Sequence, residues 1–241
     1  MTASIPLLAE AERYVVVAKP PRMIVHHNAW TRGQLALVDA LHDQLGRKVF
    51  PVHRLDYQTS GCLVFALDGP MAGLLNAALP AGKKRYLAMV RGFFRPDGPV
   101  LVDTPMKDDN GLLKEASSTV RALGRSHTPR CSLLLIEPHT GRIHQVRRHV
   151  RDLGHPVLGD HEHGDTRVNR QWREQHGLAR LALHCLSLEL TLPDGGALAV
   201  RCPLFADHAA LLSAMPWWDE AVSAEPALAA PPLPLNPTSP V

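Results

Sequence analysis

The chain has 241 residues, 45% of them hydrophobic, enough for one large domain or two small ones around a genuine core. The formal charge is +3, but beyond Trp218 only Asp219, Glu220 and Glu225 are charged; without these three acids, residues 1–218 hold 26 basic side chains against 20 acidic, a net +6 that favours an anionic partner, with arginine pointing to phosphate. Cys62, Cys131, Cys185 and Cys202 form no CxxC pair and no 18-residue apolar window exists, which excludes a zinc ribbon, a disulfide scaffold and a helical membrane protein. Buried free thiols in a cytoplasmic protein are expected.

In chain order, RYVVVAKPP at 13–21 predicts a strand ended by two prolines. Residues 34–45 have helical periodicity and stop before Gly46. A loop carrying His53-Arg54-Leu55-Asp56 follows, continuing as Tyr57-Gln58-Thr59-Ser60-Gly61 into an apolar strand near 62–67. A short helix is predicted over 70–79, a strand over 83–94 and little regular structure over 96–118. CSLLLIEP at 131–138 reads as a strand and 142–153 as a helix. The runs 181–192 and 197–204 flank Asp194-Gly195-Gly196 and predict a hairpin. Many hairpin-like strands with few helices between them imply an α+β fold with a mixed or mostly antiparallel sheet. Residues 1–12 read as a lead-in and 13–218 as one domain. From 219 onward, six prolines and many alanines predict a disordered tail.

The segment PHTGRIHQVRRHVRDLGHP, 138–156, places charge in an unusual position. At 100° per residue, Ile143, Val146, Val150 and Leu153 share one helical face, and Arg147 falls inside that arc. His144, Arg148 and Arg151 fall on a flank. A buried guanidinium needs a carboxylate, and Asp56, in its loop beside an apolar strand, is the candidate. The alternative is an arginine that snorkels out of an amphipathic helix.

His53-Arg54-Leu55-Asp56 with Thr59-Ser60-Gly61, and His139-Thr140-Gly141-Arg142 with His144-Gln145-Val146-Arg147, resemble the signature of the pseudouridine synthases acting on ribosomal and transfer RNA. Lys84-Arg85-Tyr86, His155-Pro156-Val157-Leu158-Gly159-Asp160 and Leu183-His184 match further motifs of that family, in its order. The stretch 159–170, continued by Gly177-Leu178-Ala179-Arg180-Leu181, is similar to the branch that modifies position 65 of tRNA. Tyr57-Gln58 departs from the arginine-proline pair common after the aspartate of many relatives, and Ser117-Ser118-Thr119 matches its family segment imperfectly. Neither removes a catalytic group.

The resemblance implies isomerisation of uridine to pseudouridine on a base flipped out of its stack, with no cofactor and no metal. Asp56 then is the essential carboxylate, either attacking C1′ or assisting a route through a glycal-like intermediate. Arg147 is its salt-bridge partner, and Tyr86 stacks on the base and takes part in proton removal at C5. By the residues alone, Tyr86 and Leu183 would read as ordinary core. The resemblance gives Leu183 contact with the flipped ring and Arg54 the space that the base vacates. Arg142, Lys84, Arg148, Arg151, Arg167 and Arg170 are candidate phosphate contacts, with Lys83, Arg85 and Arg173 beside them. The expected partner is tRNA, with ribosomal RNA as the alternative; neither DNA nor a membrane is expected, and the protein is expected to be monomeric. The rival outside this class is a non-catalytic RNA-binding protein. His161-Glu162-His163 lacks the i, i+4 pair of a zinc helix, and no GxSxG elbow marks a serine hydrolase.

Overall fold

The computed structural model describes residues 4–27, 31, 33–192 and 195–235. A ten-stranded sheet organises them. Its first strands are β1 (Leu7–Glu10) and β2 (Tyr14–Lys19), an antiparallel pair. The β-branched run Val15–Val17 suits β2, which is buried between neighbours. Helix α1 (Leu37–Leu45) ends at Gly46, whose φ of 64° is the left-handed cap that glycine takes most easily. The short β3 (Phe50–Pro51) leads into the 53–59 loop and then β4 (Ser60–Ala66), every residue of which is buried. Helix α2 (Gly69–Ala78) is capped by Asp68, which accepts from the Met71 N–H at 2.7 Å.

Strand β5 (Lys83–Arg91) is followed by β6 (Val100–Val102) and a two-stranded hairpin of β7 (Met106–Lys107) and β8 (Leu113–Lys114). Next come β9 (Ser118–His127), β10 (Arg130–Pro138) and α3 (Gln145–Asp152). Helix α4 (Thr166–His176) precedes β11 (Leu183–Thr191) and β12 (Ala197–Arg201). The last helices are α5 (Ala206–Ser213) and α6 (Trp218–Ala224). The order across the main path is β1-β2-β4-β11-β5-β10-β9-β6, with β3 on β4 and β12 on β11. The β4–β11 pair is parallel and the others are antiparallel, so the sheet is mixed and mostly antiparallel with flanking helices.

Two apolar cores flank this seam. One gathers Val15–Ala18, Leu41, Leu63–Ala66 and Leu75; the other gathers Leu87–Val90, Leu133–Ile136, Val146, Val150 and Trp172. Tyr86 packs against both. The parallel contact is short, at His184↔Ser60 and Cys185↔Gly61, and very close. A Cβ on Gly61 (φ 124°) would lie 2.2 Å from the Cys185 carbonyl oxygen, so only glycine fits there. Ser60 Oγ lies 2.9 Å from His184 Nδ1, and the other ring nitrogen 3.0 Å from the Cys202 carbonyl. Burial lowers the His184 pKa to about 4, so this ring is a neutral structural strut.

Several expectations need correction. Residues 219–235 are ordered rather than disordered: α6 and a 3₁₀ turn at Pro226–Ala229 bury Ala221, Leu228 and Glu225. Leu233 bridges Phe205, its N–H donating to Leu204 O at 2.8 Å. Alanine and proline lose little side-chain entropy on packing, so a segment poor in large apolar residues still docks. Strand β9 and helices α4 and α5 were not foreseen. In β9, Arg121, Gly124 and Arg125 interrupt the apolar alternation, and Trp217 fills the space over Gly124 where a Cβ would lie 2.7 Å away. The β11–β12 hairpin has its expected pairing, Thr191↔Ala197, although Asp194 of its turn lies outside the described residues.

Candidate active site

Asp56 stands in the loop between β3 and β4, where the sheet's two halves meet. The loop is clipped from beneath by Lys19, the last residue of β2, which is fully buried. Its ammonium donates to Pro20 O at 2.8 Å, Thr59 O at 2.8 Å and Tyr57 O at 3.3 Å. Burial, with Arg180 adding and Asp56 opposing, lowers the Lys19 pKa to about 7. The Thr59 N–H closes the turn onto Asp56 O at 3.1 Å. His53 accepts the Val64 N–H at 3.3 Å, and burial pushes its pKa down to about 3, so it is a neutral support.

Helix α3 brings Arg147 to this loop. It begins at Gln145, three residues later than the pattern predicted, because His144 adopts a left-handed conformation with φ of 52°. Ile143 therefore lies before the helix and is 45% exposed, contrary to the inward position that helical phase gave it. Val146, Val150 and Arg147 do face inward. Gln145 holds the entry: its amide oxygen accepts from Thr140 Oγ1 at 2.7 Å and the Arg142 N–H at 2.9 Å, and its amide nitrogen donates to Ser117 O at 2.8 Å.

The guanidinium of Arg147 is shared by three carboxylates. Nη1 donates to Asp56 Oδ2 at 3.1 Å. Nε and Nη2 make a bidentate pair with Asp160, both at 2.7 Å, and Glu162 Oε2 lies 3.5 Å from Nη2. The expected Arg147–Asp56 contact is present, but Asp160 is the stronger partner, and no role was foreseen for it. Its signals in the sequence are its place at the end of the motif His155–Asp160 and a carboxylate directly after the apolar Val157-Leu158-Gly159, much as Asp56 follows Leu55. Asp160 is 1% exposed and also accepts the N–H groups of Glu162 and His163, each at 3.0 Å. Burial opposes its charge, yet Arg147 and these N–H donors hold its pKa below the usual carboxylate value. Burial likewise opposes the charge of Arg147, and Asp160 with Asp56 more than offsets it, so the guanidinium pKa is raised.

A cavity of about 280 Å³ opens over this pair. Asp56, Tyr86, Leu183, Val146 and Thr59 line it, with Arg54, Lys84 and Arg142 among its cations. Thr59 Oγ1 is buried with no hydrogen-bond partner among the described residues. Burial pushes the Tyr86 phenol well above its ordinary pKa, with Cys185 and the charge of Asp56 adding to the rise. Burial lowers the Lys84 ammonium. Arg142 also donates through Nε to Glu115 O, and Arg148 donates to Lys107 O, tying the β7–β8 hairpin to the rim.

Not every predicted contact converges here. Arg148 and Arg151 do not line the cavity, and Arg151 pairs with Asp152. Arg167 and Arg170 project from α4 beside a different depression. Arg85 turns toward Glu137 and Glu189 at 3.8 and 3.6 Å, and Lys83, two residues before it on β5, does not line the cavity either. His144, Glu162 and His163 bring three potential metal-ligand atoms within 4.8 Å of one another, a cluster that the weak His161-Glu162-His163 pattern only half contained. They already contact one another, His144 Nδ1 lying 3.0 Å from Glu162 Oε2 and 3.1 Å from His163 Nε2. Among the described residues, no helix is long and apolar enough to cross a membrane.

A carboxylate held by a buried arginine, an aromatic wall and a cationic rim define the class: an enzyme site shaped for a planar base on a phosphate-bearing chain. Comparison with known proteins names it. Residues 13–152 match the RNA pseudouridylate synthase family model, and the chain belongs to that family; it is an RNA pseudouridine synthase, an isomerase. The tRNA pseudouridine synthase C of Haemophilus ducreyi is 36% identical over 209 residues, covering 78% of this chain and 85% of that protein. That of Vibrio cholerae is 35% identical, covering 88% and 96%. The solved structure of human RNA pseudouridylate synthase domain containing 1 shares the fold, with a TM-score of 0.70 at 23% identity over 83% of each chain.

Proposed function

We propose that this protein isomerises uridine to pseudouridine in tRNA, at position 65, with Asp56 as the essential carboxylate. The observation that carries the site assignment is the division of labour around Arg147: Asp160 neutralises and fixes the guanidinium, whose remaining Nη1 then positions Asp56 at the cavity floor. The similarity to tRNA pseudouridine synthase C over most of both chains supports the substrate.

The target uridine leaves its stack and enters the cavity, where Tyr86 and Leu183 provide walls for the ring. Asp56 Oδ2 is held, while Oδ1 has His144 Nε2 at 3.8 Å, beyond hydrogen-bond range. In the covalent route, the free oxygen bonds to C1′ as the N1–C1′ bond breaks, and the uracil leaves with the electron pair. The ring turns, C5 bonds to C1′ and the ester bond breaks. A proton then leaves C5 and N1 gains one, so no redox partner or metal is required. In the glycal-like route, the uracil leaves with the N1–C1′ electron pair, the same carboxylate takes the C2′ proton to leave a C1′=C2′ double bond, and it returns that proton to C2′ as C5 bonds to C1′.

The raised pKa makes Tyr86 a neutral phenol at neutral pH. It can accept the C5 proton only if its own O–H proton is passed on in the same step, and its stacking role carries no such condition. The unpartnered Thr59 hydroxyl is available to a uracil carbonyl. Arg147 contributes by orientation, because a small misplacement of the carboxylate costs orders of magnitude in rate. Incubation of purified protein with unmodified total RNA, followed by mapping of pseudouridine, tests the reading. Modification at position 65 of tRNA is expected, absent with Asp56→Asn; modification confined to ribosomal RNA would overturn the substrate assignment.

A further inference from the structure

A second and larger depression, about 800 Å³, lies at the opposite end of α3 from the catalytic cavity. Arg91, His127, Arg130, His155, Trp172 and His176 are among its walls, and no aspartate or glutamate lines it. The only acid in contact with these groups among the described residues is Asp165, 3.1 Å from Arg91 at the margin. Arg167 and Arg170 stand on the adjacent flank of α4, with Asp165 and Glu174 beside them. None of these side chains contributes to the cavity over Asp56.

The three imidazoles are held rather than loosely displayed. His127 stacks on Phe93 with ring centroids 4.1 Å apart, His176 tilts against Trp172 at 4.4 Å, and His155 meets Phe94 edge-on at 5.2 Å. His155 Nδ1 lies 2.9 Å from the Arg91 carbonyl, which can only accept, so Nδ1 carries a proton. In the tautomer with its one proton on Nδ1, Nε2 is an acceptor. Arginines that donate to phosphate, beside an imidazole that accepts from a hydroxyl, match the two groups of a ribose–phosphate backbone: the phosphate oxygens and the 2′-OH.

The wall formed by α4 belongs to the stretch 159–181 that distinguishes the chain in sequence and that the chemistry over Asp56 leaves mostly unused. The eight residues of α3 separate the two sites by about 12 Å, a distance a bound RNA spans. We propose that the groove between α4, the β9–β10 turn and His155 is a second RNA-binding site, which grips the sugar–phosphate backbone of the substrate tRNA away from the flipped uridine. This rests on the tRNA reading above. The groove contributes to substrate selection by shape, and the catalytic cavity reads the base.

The test measures steady-state turnover and equilibrium binding of a tRNA transcript by the full chain, as wild type and as two variants. Arg130→Ala/His127→Ala removes groove contacts at exposed positions, and Gln171→Glu adds a charge on the exposed face of α4. Both are expected to raise KM and Kd roughly tenfold with kcat retained. For the double variant, the slope of log K against log salt should fall by about one, and hydroxyl-radical protection should vanish from one backbone segment separate from the target. Arg47→Ala, a charge removal in the other half of the molecule, serves as the control and should change nothing. With an active wild type, unchanged KM and salt slope in both variants would overturn the groove alone, as would loss confined to kcat. A wild type that modifies ribosomal RNA and not tRNA would instead overturn the tRNA reading on which the groove rests.

Discussion

Two arginines are buried among the described residues, and their surroundings differ in one respect. Arg180 is 2% exposed at its side chain and faces one carboxylate, Asp207, which it meets through Nε and Nη2. Arg147 is 7% exposed and faces three: Asp160, Asp56 and Glu162. Burial wins at Arg180, whose pKa is lowered despite Asp207, whereas the carboxylates win at Arg147, whose pKa is raised. One carboxylate suffices to let a guanidinium stay buried. Of the two further carboxylates at Arg147, Asp56 lines the cavity. Arg180–Asp207 is a structural closure; on the function proposed above, Arg147–Asp160 is a mount for a reagent.

Three substitutions probe that contrast directly. Asp56→Asn leaves the Arg147–Asp160 pair intact, so the protein should retain its thermal stability and its tRNA affinity while turnover falls on the order of a thousandfold or more. Substantial turnover would place the reagent elsewhere. Arg180→Met strands the partly buried Asp207 and Arg147→Met the buried Asp160, and each should cost about 3–5 kcal/mol in denaturant unfolding. The kinetics should separate them: well below its melting temperature, Arg180→Met keeps kcat, and Arg147→Met does not. Equal kcat losses would erase the distinction between closure and mount.

Tyr86→Phe keeps the ring and removes the hydroxyl. Single-turnover rates should fall by roughly ten- to a hundredfold with RNA binding preserved. A normal rate would restrict Tyr86 to stacking. The mildest effect concerns pH. Because the folded pKa of Asp160 is depressed, its contribution to stability is present above its unfolded value, about 3.9, and is lost as pH falls through the folded value. The stability gap between wild type and Asp160→Asn should therefore be full at neutral pH and narrow as the pH drops below about 4. A gap of constant size down to pH 3 would detach Asp160 from the acid limb of the stability curve.

The helical phase of 143–153 placed Arg147 inward, and it does face inward, although Ile143, one of the residues defining that arc, is outside the helix and exposed. The inference survived because Val146 and Val150 alone define the buried side. Where the apolar pattern was interrupted, as in β9, or where small residues replaced large ones, as in 219–235, the reading failed. Packing partners distant in sequence supply the burial there: Trp217 over Gly124, and Leu233 beside Phe205.

By itself the sequence determined the family, through the order and chemistry of the motifs around Asp56, Tyr86, Arg147 and Leu183, and it determined that a buried arginine must find a carboxylate. Desolvating a guanidinium is costly at any position, so that requirement is local. Which carboxylate it finds is not local. Asp160 is 13 residues from Arg147 and Asp56 is 91, and only the folded distances made the nearer one the buried anchor and the farther one the half-buried carboxylate at the cavity. The same holds for the groove at the far end of α3, whose arginines and histidines come from β5, the β9–β10 turn, the loop after α3 and α4. A charge's chemistry is written in its residue type, but its function depends on what lies within a few ångströms, and tertiary structure alone decides that.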